Sequence, residues 1–375
     1  MPTIDTNQVI PIPVVIYRGG TSKAVFIKEN DLPVDILKRD QLISAIFGSP
    51  DKRQIDGLGG ADPLTSKLAI IGPPSREDAD VDYLFGQVDI LSSRIEYRGL
   101  CGNISAAVGP FAIEEGFVRI SDPVTTVRIH CKNNGSILKV DVPTPNKKVT
   151  ILGDYAIAGV PGQGAKIGLN WVGTIGANTG ALLPTGNLQD ELEIPGLGAI
   201  KASIVDVGNP GVFVNAKDLG LKGIENPEEV DSNKELLEKC DAIANAAGKK
   251  INSFCLLTLI APAANYVSHG TEKKIDSGNI DLLVRMIFMS KMHKAYAASQ
   301  INCCGIAAMI PGSIVNDVVS DSSIACGRIR MGHPAGVAQV HIEAKTNGKI
   351  PSFSKIVVYG TARRLMEGTT FVKLD

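Results

Sequence analysis

Aromatic side chains are scarce in this chain: they make up 5% of its 375 residues, and Trp171 is the only tryptophan. Stacking platforms are therefore not what the sequence is built around, and its cores are expected to be aliphatic. Neither sign of charge is in excess, with 38 Lys plus Arg against 39 Asp plus Glu. No bulk field points to nucleic acid, and an anionic ligand would have to be met by local donors. No apolar run approaches the roughly 20 residues of a membrane helix. Met1 to Ile10 shows neither a basic start nor an apolar stretch of signal-peptide length. The seven cysteines are odd in number and lack a disulfide-framework spacing. Reduced thiols in a cytoplasmic protein, with no membrane partner, are the expectation. The sequons at Asn103 and Asn134 are read as chance matches.

The motifs of cofactor chemistry are missing as well. No glycine loop ends in Gly-Lys-Ser/Thr, and Gly162-Gln163-Gly164 lacks the third glycine of a dinucleotide fingerprint. The five histidines are dispersed, no Cys-x-x-Cys pair occurs, and there is no Gly-x-Ser-x-Gly elbow. Neither a cofactor nor a metal is expected. What remains is proton transfer by side chains.

What is abundant is glycine, at 39 residues, together with β-branched runs. Residues 12–17, 68–71, 124–130, 137–142, 204–207 and 355–359 read as strands. Leu32 to Phe47 reads as a helix stopped by Gly48, and Ile104 to Glu115 as one stopped by Gly116. Asn233 to Ala247 closes at Gly248, and Asp276 to Ala298 is the longest helical pattern. The mixture is α+β, and the length predicts two domains, 1–182 and 183–375, with the last strand free to pack on the first. A weak internal echo pairs Cys101-Gly102 with Cys304-Gly305, each opening a run of small residues.

Three segments carry candidate chemistry. Arg98-Gly99-Leu100-Cys101-Gly102-Asn103 leads into the small-residue helix, whose unpaired N–H groups and partial positive charge suit a carboxylate. The same field favours the thiolate of Cys101 and makes it a competent acid or base; a small packing cysteine is the plainer alternative. Gly57 to Lys67 runs from a glycine loop, through Ser66, to an apolar strand. At that junction the amine of Lys67, partly desolvated, can accept a proton, where a solvated edge lysine is the alternative. Arg18-Gly19-Gly20-Thr21-Ser22-Lys23 combines glycines, hydroxyls and cations as an anion cradle or a plain hairpin. Later, Val207-Gly208-Asn209-Pro210-Gly211 and Gly332-His333-Pro334-Ala335-Gly336 end strands as turns. His333 is carried as a substrate-binding candidate, with a structural histidine as the simpler role.

Taken together, residues 18–23, 54–67 and 101–109 closely resemble the PrpF-type isomerase family. So do Leu-Pro-Thr-Gly-Asn (183–187), Ile-Pro-Gly-Ser (310–313), Gly-His-Pro-Ala-Gly (332–336) and Thr-Ala-Arg-Arg-Leu-Met-Glu-Gly (361–368). The resemblance runs in order along nearly the whole chain. It implies a diaminopimelate epimerase-like fold: two pseudosymmetric α+β domains, each a sheet wrapped around a central helix, with the active site between them. It implies catalytic roles for Lys67 and Cys101 and places Ser22 and Asn103 in the substrate cleft. A second thiol, Cys303 or Cys304, is the feature by which a two-cysteine racemase would differ.

The expected activity is a cofactor-independent 1,3-proton transfer that shifts a double bond in a small unsaturated di- or tricarboxylate. Lys67 and Cys101 would carry the proton. Ser22, Lys23, Ser66, Gly102, Asn103, Gly305 and His333 would bind, with helix N-termini at Gly102-Asn103 and at Gly305. The resemblance ranks aconitate or 2-methylaconitate first, 3-methylitaconate next and 4-oxalomesaconate third. A tricarboxylate-binding sensor is the non-enzyme alternative. The partner is thus a small anionic carboxylate, and homo-oligomer formation is left open.

Overall fold

The computed structural model describes residues 9–345 and 348–373. The expectation for the N-terminus therefore lies, up to residue 8, outside the described residues. Two compact units divide the chain: Met1–Tyr155, Gln163–Ile167 and Gly360–Asp375 form the first, and Ala156–Gly162 and Gly168–Tyr359 the second. The passage falls between residues 155 and 168 rather than after 182. There the bridge between Tyr155 and Gly164, closed by two backbone hydrogen bonds of 3.2 and 2.9 Å, returns a short segment to the first unit.

In the first unit the strands follow the order Ala362–Val372, Ile10–Gly19, Ser22–Lys28, Lys67–Gly72, Val81–Val88, Val124–Cys131, Ser136–Pro143. Successive pairs are antiparallel, antiparallel, parallel, antiparallel, parallel and antiparallel. The second unit repeats this sequence of pairings with Asp190–Ile194, Gly198–Val207, Asn209–Asn215, Leu256–Pro262, Leu282–Ile287, Arg328–His333 and Gly336–Lys345. In the first unit the outer strand comes from the C-terminal end of the chain; in the second it immediately precedes its partner.

The repeat reaches single residues. Arg128 forks onto the carboxylate of Asp80, to which its backbone N–H also donates, while the Asp80 N–H donates to the Arg128 carbonyl. Arg330 and Asp281 do the same, at the register-equivalent positions. Each unit also holds one buried, nearly all-apolar helix, Gly102–Glu114 and Ala298–Met309. A helix apolar all round belongs inside a core, and each packs against several strands of its own sheet. Glycine permits the close approach. A Cβ on Gly109 would stand 2.8 Å from Val142 and 3.0 Å from Val140, and one on Gly305 would fall against Val340 and Ile342. The strand registers make these the same place in the two units.

Those helices correct the sequence echo. Aligned on their N-cap residues, Cys101 corresponds to Ala297, and Gly109, not Gly102, corresponds to Gly305. The thiol-glycine similarity is therefore out of step by about two helical turns. The long helix expected over Asp276 to Ala298 does not form: Leu282–Ile287 is a strand, and a helix begins only at Ala298. A strand buried on both faces reads as a continuous apolar run, which periodicity cannot separate from a buried helix. Two other helices have shifted limits. Ile36–Phe47 starts later than Leu32 because Asp35 caps it, accepting from the Lys38 N–H at 2.9 Å, and it ends at the left-handed Gly48. Lys234–Lys250 runs through Gly248, where a Cβ would stand 2.6 Å from the Ser253 carbonyl.

Candidate active site

In the first unit the candidate residues gather where a hairpin, a helix start and a strand start meet. Gly19 and Ser22 close the hairpin between the first two strands. A Cβ on Gly19 would lie 2.5 Å from the Asn103 carbonyl, and one on Gly20 would strike the Asn103 amide. These glycines thus let the turn sit directly on the N-terminus of the helix Gly102–Glu114, where Thr21 N–H donates to Asn103 Oδ1 at 3.4 Å. Arg18 is spent on holding that turn, donating to the carbonyls of Gly20 and Thr361 at 2.9 Å each.

Cys101 is the N-cap of this helix and is half-buried, but its side chain caps nothing. Its carbonyl takes the Ser105 N–H at 2.9 Å and the Ser105 hydroxyl at 3.0 Å. Beside it, burial and then the proximity of the Cys101 thiol push the Tyr83 phenol well above its usual range, so that neighbour stays neutral. Two buried hydroxyls of the hairpin, Thr21 Oγ1 and Ser22 Oγ, have no hydrogen-bond partner. Buried hydroxyls are normally satisfied, so this pair is an acceptor-seeking surface at the helix start.

Lys67 opens the strand Lys67–Gly72 and pairs in parallel with Ala24, two residues beyond Ser22. It is 6% exposed. Its ammonium group donates to Gln87 Oε1 at 2.6 Å and stands 5.4 Å from the centre of the Phe85 ring. Among the described residues no carboxylate forms an ion pair with it. Ser66 is buried and turned to the scaffold, its hydroxyl donating to Gln54 Oε1 at 2.7 Å. Lys23 is half-buried and tied through its backbone N–H to the Leu64 carbonyl at 2.9 Å. Gly102 lies buried in the first turn.

The candidates of the second unit fare differently. Gly305 lies in mid-helix, so it provides no helix N-terminus; that place belongs to Ala298, behind the N-cap Ala297. Cys303 and Cys304 sit in the second turn, fully buried. Burial pushes both thiols up, that of Cys304 to about 12. Cys303 donates to the Val205 carbonyl at 3.0 Å. Neither thiol stands at the helix start, so the equivalent of Cys101 in this unit is an alanine. His333 is 3% exposed, and burial, then Arg285 and His293, push it down to about 3. Its Nδ1 accepts the Ala335 N–H at 3.2 Å, which leaves the proton on Nε2. It can offer a ligand a neutral N–H but no positive charge.

Two residues of the first unit escaped the sequence reading. Gln87, a polar residue within a strand, carried no signal until its register opposite Lys67 was known. Gln54 gave only its place in the glycine-rich stretch. Among the described residues no cluster of three His, Cys, Asp or Glu side chains could hold a metal ion, and no helix is long and apolar enough to cross a membrane.

Comparisons with known proteins bear on the family and the fold. The family described as PrpF protein matches residues 9–373. A 3-methylitaconate isomerase from Eubacterium barkeri is 46% identical over 96% of this chain and 97% of its own. A 2-methyl-aconitate isomerase from Cupriavidus necator is 36% identical over 98% of each. A crystal structure of a methylitaconate-delta-isomerase superposes with a TM-score of 0.79 at 44% identity, covering 98% of this chain and 96% of that one. A hydroxyproline epimerase from Agrobacterium vitis, 9% identical with a TM-score of 0.61 over 98% and 93%, shares the fold. That likeness makes the fold epimerase-like, as the sequence motifs implied. Matched from residue 9 to residue 373, the chain belongs to the PrpF family and is an isomerase.

Proposed function

We propose that this isomerase moves a double bond within a small unsaturated di- or tricarboxylate by a 1,3-proton shift, without a cofactor, using Lys67 and Cys101. The observation that carries the reading is the state of Lys67: a nearly buried amine, hydrogen-bonded to an uncharged oxygen and, among the described residues, without an ion pair. An amine placed so is available for proton transfer rather than locked in a salt bridge. Nearby, a helix N-terminus and two unpartnered hydroxyls offer a seat for a carboxylate.

The chemistry balances as follows. A base takes a proton from the allylic carbon, and the freed electron pair forms the new double bond. The old π pair shifts to the far carbon, passing through a carbanion spread onto the adjacent carboxylate. An acid then returns a proton to that far carbon. Negative charge grows at the carboxylate, so donors already aimed there stabilise the transition state more than the ground state. Similarity to the E. barkeri relative favours a substrate of the 3-methylitaconate type over the aconitate type that the motifs ranked first. The C. necator relative keeps 2-methylaconitate as the second reading.

Proton NMR in D2O with 3-methylitaconate, 2-methylaconitate, aconitate and 4-oxalomesaconate identifies both the substrate and the exchanging carbon. Lys67→Met should lower turnover by about 10²- to 10⁴-fold, the usual contribution of a general acid–base group. If Lys67 removes the first proton, deuterium exchange at the donor carbon disappears with it. Cys101→Ser would then still exchange at that carbon while forming little product. Near-normal turnover in a folded Lys67→Met variant refutes the assignment.

A further inference from the structure

The partner of the Lys67 amine is itself held in one orientation. Gln87 faces Lys67 across the antiparallel pair of strands, and its Oε1 receives the amine at 2.6 Å. Its Nε2 donates to the carbonyls of Ser66, at 3.0 Å, and Pro63, at 3.2 Å. Turning the amide over would set its NH2 against the amine and its oxygen against two carbonyls. Only the oxygen can face Lys67.

A second buried glutamine supports this loop. Gln54 Oε1 accepts from Ser66 Oγ at 2.7 Å and from the Ala61 N–H at 2.8 Å, and its Nε2 donates to Ser49 Oγ at 3.1 Å. Gln54 and Ala61 both adopt positive φ, +47° and +54°. A Cβ on Gly59 would collide with the Gln54 amide. Strained backbone is kept only where its surroundings fix it, and here the fixed object is the loop that carries the Gln87 acceptors.

The fold itself does not require the pair. Extending the matched registers, the second unit has Leu256 and Phe288 where the first has Lys67 and Gln87. The same strands pair without an amine or an amide.

We propose that Gln87 is a positioning residue for Lys67: its amide oxygen holds the amine in place in both protonation states. The inference rests on Lys67 being a proton-transfer group. An amide oxygen accepts from an ammonium and, more weakly, from a neutral amine, so the nitrogen keeps a partner in the same place as its proton leaves and returns. A carboxylate in the same place would hold the proton on the lysine.

The test uses Gln87→Glu and Gln87→Met in the full chain, with Lys67→Met alongside. Gln87→Met removes the acceptor at similar volume. It should lower kcat by about 10- to 100-fold, the cost of a misplaced catalytic group, with KM within about threefold of the parent. Gln87→Glu should move the pH profile of kcat upward by at least about one unit, so that activity lost at neutral pH returns at higher pH. A purely structural role predicts equal losses at every pH and an unmoved profile, which overturns the proposal. So do kcat values within twofold of the parent in both variants. Failure of both to fold also overturns it, by making residue 87 a folding requirement. Near-normal turnover in Lys67→Met instead defeats the reading of Lys67 on which this one stands, and the two failures are distinct.

Discussion

The neutral, buried state of His333 sets a pH dependence that can be worked out in advance. The imidazole is 3% exposed and pushed down to about 3 by burial, Arg285 and His293, against an unfolded value of about 6.5. The unfolded chain therefore binds a proton between these values that the folded chain refuses. Stability from this group is complete above about pH 6.5 and is lost progressively as the pH falls toward 3. Linkage gives a loss of about 2 kcal/mol between pH 8 and pH 5. His333→Asn isolates the effect, because Oδ1 of asparagine can still accept the Ala335 N–H while the titrating ring is gone. The variant should be less stable at pH 8 by about 1–3 kcal/mol, from lost packing. That gap should shrink by about 2 kcal/mol at pH 5, since every other titrating group cancels in the difference.

The assay is urea unfolding followed by tryptophan fluorescence. Trp171 is the sole tryptophan, is fully buried and belongs to the same unit as His333. Its transition reports that unit even if the two units unfold separately. A gap constant to within about 0.5 kcal/mol from pH 8 to pH 5 would show that His333 is not buried neutral.

Two further outcomes follow from packing and exposure. Gly109→Ala and Gly305→Ala should each destabilise by about 1–3 kcal/mol, because the new methyl meets Val140 and Val142, or Val340 and Ile342. An exposed helix would gain up to about 1 kcal/mol from the same change, so a raised melting temperature in either variant contradicts the close approach. Iodoacetamide followed by peptide mass spectrometry should label Cys101 and the exposed Cys326 in native protein, and leave the buried Cys131, Cys240, Cys255, Cys303 and Cys304 intact. Substrate should protect Cys101 and not Cys326; equal protection of both, or of neither, removes Cys101 from the site.

Six strands and the first two long helices were legible because β-branched runs and the stop glycines Gly48 and Gly116 are local signals, while the cap at Asp35 went unread. The start of the second buried helix was not. Ala297 caps nothing, the first turn holds no acidic residue, and the strand Leu282–Ile287 that precedes it is buried throughout. Cys101 caps nothing either, but the glycines on either side of it, Gly99 and Gly102, marked the turn. Lys67 could be picked out because a lysine interrupts an apolar strand start. Gln87 could not, since its meaning lies in a cross-strand register that links residues 20 positions apart.

The duplicated fold supplies what a single sequence withholds, a comparison of equivalent positions. Where the two units agree, the residues serve the framework: Asp80–Arg128 with Asp281–Arg330, and Gly109 with Gly305. Gly20 and Gly208 join them, each a left-handed turn glycine lying against the start of its own buried helix. At three other positions the first unit carries a polar group and the second an apolar one. Lys67 is matched by Leu256, Gln87 by Phe288 and Cys101 by Ala297. An amine, an amide and a thiol that the same scaffold does without elsewhere are not there to hold it up. That contrast is independent of the family resemblance, and it is a second ground for the proposal that Lys67 and Cys101 transfer the proton.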